Sequence, residues 1–259
     1  MKAKAPGVCM TISRRHFLGA AACSAGTLWS FRPFGFDTRG SRPEREFDCI
    51  LLDLDTHGVL RESLEGYQAA LAGEHQHIPE AKLNAGSPCR IAIVPGLGRL
   101  DPATALTLSG LLEAGTHVLL ESGAGFSSGA EFTAHERMLY RYFDIAVYPP
   151  VSLWPGPPVD DALFLHRSGR YPGKKPDRHE SIPYVNYLWP RETKVRDFSR
   201  VIPVSARTGD VIAEVGGLPV ALKRRMGEGT LIFLGSPMGP ALRAGDPQAR
   251  SWLRLVTAL

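Results

Sequence analysis

Residues 90–126 read RIAIVPGLGRLDPATALTLSGLLEAGTHVLLESGAGF, and this stretch decides the fold. Arg90–Val94 is an apolar run of strand length that ends at the turn Pro95-Gly96-Leu97-Gly98. Asp101-Pro102 then supplies an N-cap followed by proline at the first helical position, where the missing N–H would have had no partner anyway. Ala105, Leu108, Leu111 and Leu112 recur on one helical face, and Gly115 ends the helix. His117–Leu120 is a further strand, closing at Glu121-Ser122-Gly123-Ala124-Gly125.

The same alternation extends outward. Upstream, Phe47–Leu54 is a continuous apolar run, the pattern of a strand covered on both faces. Leu60, Leu64, Tyr67 and Leu71 follow at helical spacing, and Pro79–Pro88 reads as loop. Downstream, the pattern predicts a helix through Glu131–Phe143, then an irregular region, 149–190, rich in proline, tyrosine and tryptophan. Val211–Val215, Pro219–Leu222 and Thr230–Leu234 read as short strands, the last two joined across Met226-Gly227-Glu228-Gly229. Asp246-Pro247 opens a final helix with Ala249, Trp252, Leu253 and Val256 facing inward. Strands alternating with helices of this length predict an α/β domain over 47–259: a three-layer, mostly parallel sheet with a late antiparallel hairpin.

Charge separates this domain from the residues before it. The 259-residue chain carries a net +4. Residues 1–45 hold Lys2, Lys4, Arg14, Arg15, Arg32, Arg39, Arg42 and Arg45 against Asp37 and Glu44, a balance of +6; +4 minus +6 leaves −2 for residues 46–259. A mildly acidic domain offers no global basic field to a polyanion, so nucleic acid is not an expected partner.

Ser13-Arg14-Arg15-His16-Phe17-Leu18 resembles the twin-arginine export consensus, and the small, weakly apolar run Gly19–Gly26 follows it. Arg14, Arg15, Phe17 and Leu18 are the expected export signal, read by the twin-arginine translocation machinery as an address. Residues 1–36 are then a leader and 37–46, DTRGSRPERE, a breaker-rich linker. The expected location is the periplasm or cell envelope. An uncut leader would leave an N-terminal membrane tether.

Cys49 and Cys89 each precede a strongly apolar run. On neighbouring strands of an exported domain they would form either a disulfide or two separately buried thiols; directly paired strands hold Cβ atoms poorly for a bridge.

In pattern, residues 90–126 and 211–240 resemble the class I glutamine amidotransferase-like superfamily. The likeness lies in a strand, a Pro-Gly turn, a capped helix ending in Ala-Gly, a strand into a Ser/Gly elbow, and a hairpin from Val220-Ala221-Leu222 to Leu231–Gly235. The resemblance implies a flavodoxin-like sheet, and is nearest to non-catalytic relatives such as those appended to sugar-processing enzymes. Active members carry a nucleophilic Cys at the elbow, which here falls near Ser122. They also carry a His-x-Glu pair after the strand matching Thr230–Leu234, where this chain has Gly235-Ser236-Pro237-Met238-Gly239-Pro240. Without that base, glutamine hydrolysis is excluded. The expectation is a non-catalytic domain that binds a small ligand or an envelope partner.

Other constellations remain as alternatives. Ser122 would serve a serine hydrolase if His117, His135, His166 or His179 reached it; otherwise the small residues of the elbow simply permit a tight turn. Asp53-Leu54-Asp55 resembles a phosphatase nucleophile motif, yet Thr56-His57-Gly58 interrupts its continuation. Polar residues at strand ends line the crevice of open α/β sheets, which makes Asp53, Asp55, His57, Glu121 and Ser122 the ligand-contact candidates. His75-x-His77 with Glu74 and Glu80 lacks a placed third metal ligand, and no motif names a cofactor. Lys223-Arg224-Arg225 reads as a solvated charge run. Tyr184, Tyr187, Trp189 and Trp154 form either a sugar platform or packing over the sheet edge.

Overall fold

The computed structural model describes residues 47–54, 59–73, 75–79, 89–122, 126, 128–152, 184–196 and 200–259. All of these fall in the unit Arg42–Leu259. In chain order its elements are β1 (Phe47–Asp53), α1 (Val59–Leu71), β2 (Gln76–Pro79), β3 (Cys89–Leu97), α2 (Pro102–Glu113), β4 (His117–Ser122) and α3 (Gly129–Phe143). β5 (Tyr184–Tyr187), β6 (Thr193–Arg196), β7 (Asp210–Val215), β8 (Leu218–Met226), β9 (Gly229–Leu234), α4 (Gly239–Arg243) and α5 (Pro247–Thr257) follow.

The strands form a nine-stranded sheet in the order β2-β1-β3-β4-β9-β8-β7-β5-β6. Here the sequence expectation fails. From β2 to β9 the pairings are parallel, but from β9 to β6 all are antiparallel, so the sheet divides evenly between the two kinds. It is mixed and strongly curled rather than mostly parallel and flavodoxin-like. The physical reason lies in the second half of the chain. β7, β8 and β9 are joined by tight turns, Gly216-Gly217 and Gly227-Glu228, whose glycines hold positive φ, and a tight turn can only return the chain antiparallel. The edge hairpin β5–β6 then extends that half.

Apolar runs without alternation form β1, β3 and β4 because both sheet faces are covered. Cys49, Leu51, Ile91, Ile93 and Leu119 face a core closed by Tyr67 of α1, Leu242 of α4 and Trp252 of α5. Ile50, Leu52, Ala92, Val94, Val118 and Leu120 face a second core closed by Leu108 of α2 and Leu139 of α3. Side-chain caps fix the starts of α2, α3 and α5, two of them at the Asp-Pro pairs the sequence points to. Asp101 Oδ1 accepts from Ala103 N at 2.7 Å and Thr104 N at 3.2 Å. Asp246 Oδ1 accepts from Gln248 N at 2.8 Å, and Ser128 Oγ from Glu131 N at 3.2 Å.

Among the described residues no helix is long and apolar enough to cross a membrane. Arg14, Arg15, Phe17 and Leu18, with the whole leader and linker, lie outside the described residues.

Candidate functional site

β4 brings Glu121 and Ser122 to its C-terminal end as consecutive residues, and strand alternation sends their side chains to opposite faces. Each becomes the centre of a sealed polar cluster, and neither has any exposure.

On the α1 and α4 side, one carboxylate oxygen of Glu121 collects three donors. Oε2 accepts from the Tyr67 hydroxyl at 2.7 Å, Met238 N at 2.9 Å and Gly239 N at 3.1 Å. Oε1 has no hydrogen-bond partner among the described residues. Burial pushes the carboxyl above the usual carboxylate range, opposed by the Ser63 and Tyr67 hydroxyls and the two backbone N–H groups. Burial likewise raises the Tyr67 phenol, with Glu121 adding to the effect. The cluster requires α1 and α4 to touch backbone to backbone. A Cβ on Gly66 would stand 1.9 Å from Gly239 O, and one on Gly239 would stand 2.2 Å from Ser63 Cα. Glycine at both positions is what lets the Met238 and Gly239 N–H groups reach the carboxylate.

On the α3 side, Ser122 Oγ lies 2.7 Å from His135 Nε2 and 3.4 Å from Leu97 O. Two tautomers satisfy the 2.7 Å contact: with Nε2 protonated it donates to the serine oxygen and the hydroxyl turns to Leu97 O, and with Nε2 bare the hydroxyl donates to it. Nδ1 has no partner among the described residues. Burial lowers the His135 pKa to about 4, with Glu131 pulling weakly the other way, so the ring is neutral at pH 7. His135 is 2% exposed, and its ring packs 5.1 Å from that of Phe126.

A histidine is thus within hydrogen-bond reach of Ser122, yet the arrangement does not activate it. A nucleophilic serine needs a base that accepts its proton and an opening to substrate. Here the hydroxyl is sealed, with no exposure to solvent.

The remaining candidates scatter. Asp53 ends β1 half-buried, whereas Asp55, His57 and Gly123–Gly125 lie outside the described residues. His117 begins β4, at the far end of the strand from Ser122, and His166 and His179 lie outside the described residues. His75 and His77 sit at the sheet edge in or beside β2, with Glu74 and Glu80 outside the described residues; among those described no metal-binding group of His, Cys, Asp and Glu converges.

Cys49 and Cys89 are both buried and no disulfide joins them, which is the second of the two arrangements left open by the sequence. The register sets Cys49 against Ile91 and Cys89 against Phe47, so the two cysteines are offset by two residues on adjacent parallel strands, farther apart than a disulfide spans, and their side chains pack in different hydrophobic clusters.

Lys223, Arg224 and Arg225 pair with Asp210, Asp144 and Glu228. Tyr187 is core, its ring 4.8 Å from Trp252, and the Trp189 carbonyl accepts the Trp252 indole N–H at 2.7 Å. Tyr184 remains exposed, and Trp154 lies outside the described residues. The sequence offered no sign that Glu121 would be a core acceptor, beyond a lone acid closing an apolar strand. Tyr67 was legible only as one of four apolar-face positions of α1.

No family model matches the chain, and no curated protein does. Solved structures do. A β-galactosidase from Bacillus circulans sp. alkalophilus superposes with a TM-score of 0.54 at 15% identity, over 80% of this chain and 31% of that one. An exo-β-1,4-mannosidase from an Opitutaceae bacterium gives 0.53 at 12%, over 82% and 36%, and a Rahnella β-galactosidase gives 0.51 at 11%, over 80% and 32%. The chain spans about a third of the length of the enzymes it resembles. At this identity the likeness establishes a fold and not an activity.

These structures also correct the family expectation: the likeness is to glycosidases, not to glutamine amidotransferases. The small-ligand or envelope-partner reading, the Ser122 hydrolase and the Asp53/Asp55 phosphatase all fall with that framework. Nothing in the comparisons supports an export signal.

Proposed function

We propose that residues 47–259 are an accessory, carbohydrate-binding domain of a sugar-processing system and do not themselves cleave glycosidic bonds. The observation that carries this reading is the shared fold: three glycosidases contain it, each as only about a third of its length. Hydrolysis of a glycoside ordinarily takes two carboxyl groups flanking an open cleft, about 5–9.5 Å apart. The carboxylate that β4 places at the centre of this fold is sealed, and its Oε2 is engaged in holding two helices.

The test is direct. Homogeneous protein should bind β-linked galacto- or manno-oligosaccharides in calorimetry and should leave p-nitrophenyl β-galactoside and β-mannoside intact. Turnover of either chromogenic substrate would refute the accessory role. Failure to bind any oligosaccharide would refute carbohydrate recognition.

For location, the twin-arginine resemblance at Ser13–Leu18 remains the only ground, and we propose on it alone that the domain works beyond the cytoplasmic membrane.

A further inference from the structure

The outer face of α5 carries two arginines beside a groove. Its inner residues, Ala249, Trp252, Leu253 and Val256, are buried, and the turn-by-turn opposite positions are Pro247, Arg250, Ser251, Arg254 and Leu255. These five line a groove of about 390 Å³. That is near the lower end for small-molecule sites, about 300–1,000 Å³.

The two arginines stand four residues apart on one helix, so their side chains are neighbours and repel. Neither has an ion pair among the described residues, whereas Arg61, Arg224, Arg225 and Arg243 each have one. Asp246, one turn before Arg250, does not serve it: its Oδ1 caps Gln248 N and Ala249 N. A like-charged pair left unneutralised on a domain of net −2 is a local electropositive site on an acidic surface.

The helix that presents this pair is held firmly. The Trp252 indole donates to Trp189 O at 2.7 Å, Arg90 Nη2 donates to Thr257 O at 2.5 Å, and Asp246 caps the first turn. A bound anion would therefore meet a preformed surface and order little beyond the two side chains.

We propose that this groove binds the acidic groups of a glycan, a uronate carboxylate or a sugar sulfate, between the guanidinium forks of Arg250 and Arg254. Guanidinium is the side chain suited to planar, two-pronged recognition of such oxyanions. Ser251, which also lines the groove, offers a hydroxyl to a sugar hydroxyl, and Leu255, 38% exposed, offers an apolar shoulder to the face of the ring. The inference rests on the carbohydrate reading above and narrows it to acidic saccharides.

Calorimetry on the full chain tests it with four probes: a galacturonate oligosaccharide, its neutral galactose counterpart, inorganic sulfate and an acidic peptide. The double variant Arg250→Gln/Arg254→Gln is compared with wild type and with Arg225→Gln, a surface control outside the groove. All the changes are on exposed positions, and circular dichroism checks that each protein is folded. The expected result is uronate binding that weakens with salt and drops about tenfold or more for each fork removed, with Arg225→Gln unchanged. Uronate affinity equal in wild type and double variant would overturn the site. Equal affinity for neutral and acidic saccharides in every protein would overturn it too, while leaving the carbohydrate reading standing. Binding of sulfate or peptide alone through the two arginines would overturn the glycan assignment.

Discussion

Acidification should destabilise this domain through one residue before its carboxylates are protonated. His135 is held neutral in the fold, its pKa lowered from 6.5 to about 4 by burial. In the unfolded chain it titrates near 6.5. Above pH 6.5 both states are neutral and the residue contributes no pH dependence. As pH falls below 6.5 the unfolded chain takes up a proton that the folded one refuses, so stability falls, and the loss levels off below about pH 4. The full separation is worth about 3.4 kcal/mol, and at pH 5 about 2 kcal/mol of it is already lost. Urea denaturation at pH 7.5 and pH 5.0, on wild type and His135→Gln, isolates this contribution. The variant loses packing against Phe126 at both pH values, but it has no imidazole to titrate. Wild type should therefore lose about 2 kcal/mol more than the variant between the two conditions, read from midpoints at a shared m-value. Equal losses in the two proteins, or an NMR titration of His135 near 6.5 in the folded state, would show that the Ser122–His135 pair is not sealed as described.

Three further outcomes are expected. With Cys9 and Cys23 replaced by serine, Ellman's reagent should find no reactive thiol in native protein and two on unfolding; one intact disulfide in non-reducing mass spectrometry would contradict the two-residue offset of Cys49 and Cys89. Glu121 has a raised folded pKa, so its ionisation subtracts stability as pH rises through that value; Glu121→Gln keeps an oxygen acceptor and should flatten this alkaline-side decline, and an unchanged profile would refute the assignment. Replacing Arg14 and Arg15 together by lysine should retain the protein in the cytoplasm if the location proposed is right, because the export receptor reads guanidinium groups; undiminished export would remove that proposal.

Local chemistry was far more legible in the sequence than sheet sense or side-chain society. Asp101-Pro102 and Asp246-Pro247 announced helix starts because capping is settled within four residues, and both caps form. Continuous apolar runs marked β1, β3 and β4 because burial on both faces removes alternation. What failed was inference over distance. The edge strands β2 and β6 are only four residues each and carry too little pattern to separate from loop. Missing β6 and β5 made the antiparallel half look like an appendage to a parallel sheet. The cysteines were placed correctly on adjacent strands, but whether they meet depends on register, and an offset of two residues along the strands keeps them apart. Ser122 and His135 were both noticed, yet their distance and proton order depend on how α3 returns over the sheet.

The two clusters on β4 explain why a polar strand end need not be an active site. An interior glutamate with its charge unmet would be expelled or neutralised. Here it is retained because its donors come from two separate elements, the Tyr67 hydroxyl on α1 and two N–H groups at the start of α4. One residue later, Ser122 ties α3 to β3 through His135 and Leu97 O. Consecutive residues of the central strand thus fix the helical layers on both faces of the sheet. Glu121 and Ser122, two of the groups that gave the sequence its catalytic appearance, are occupied in this way. On the carbohydrate reading proposed above, the surface then carries recognition, and the Arg250–Arg254 pair on a firmly held helix is the place we propose for it.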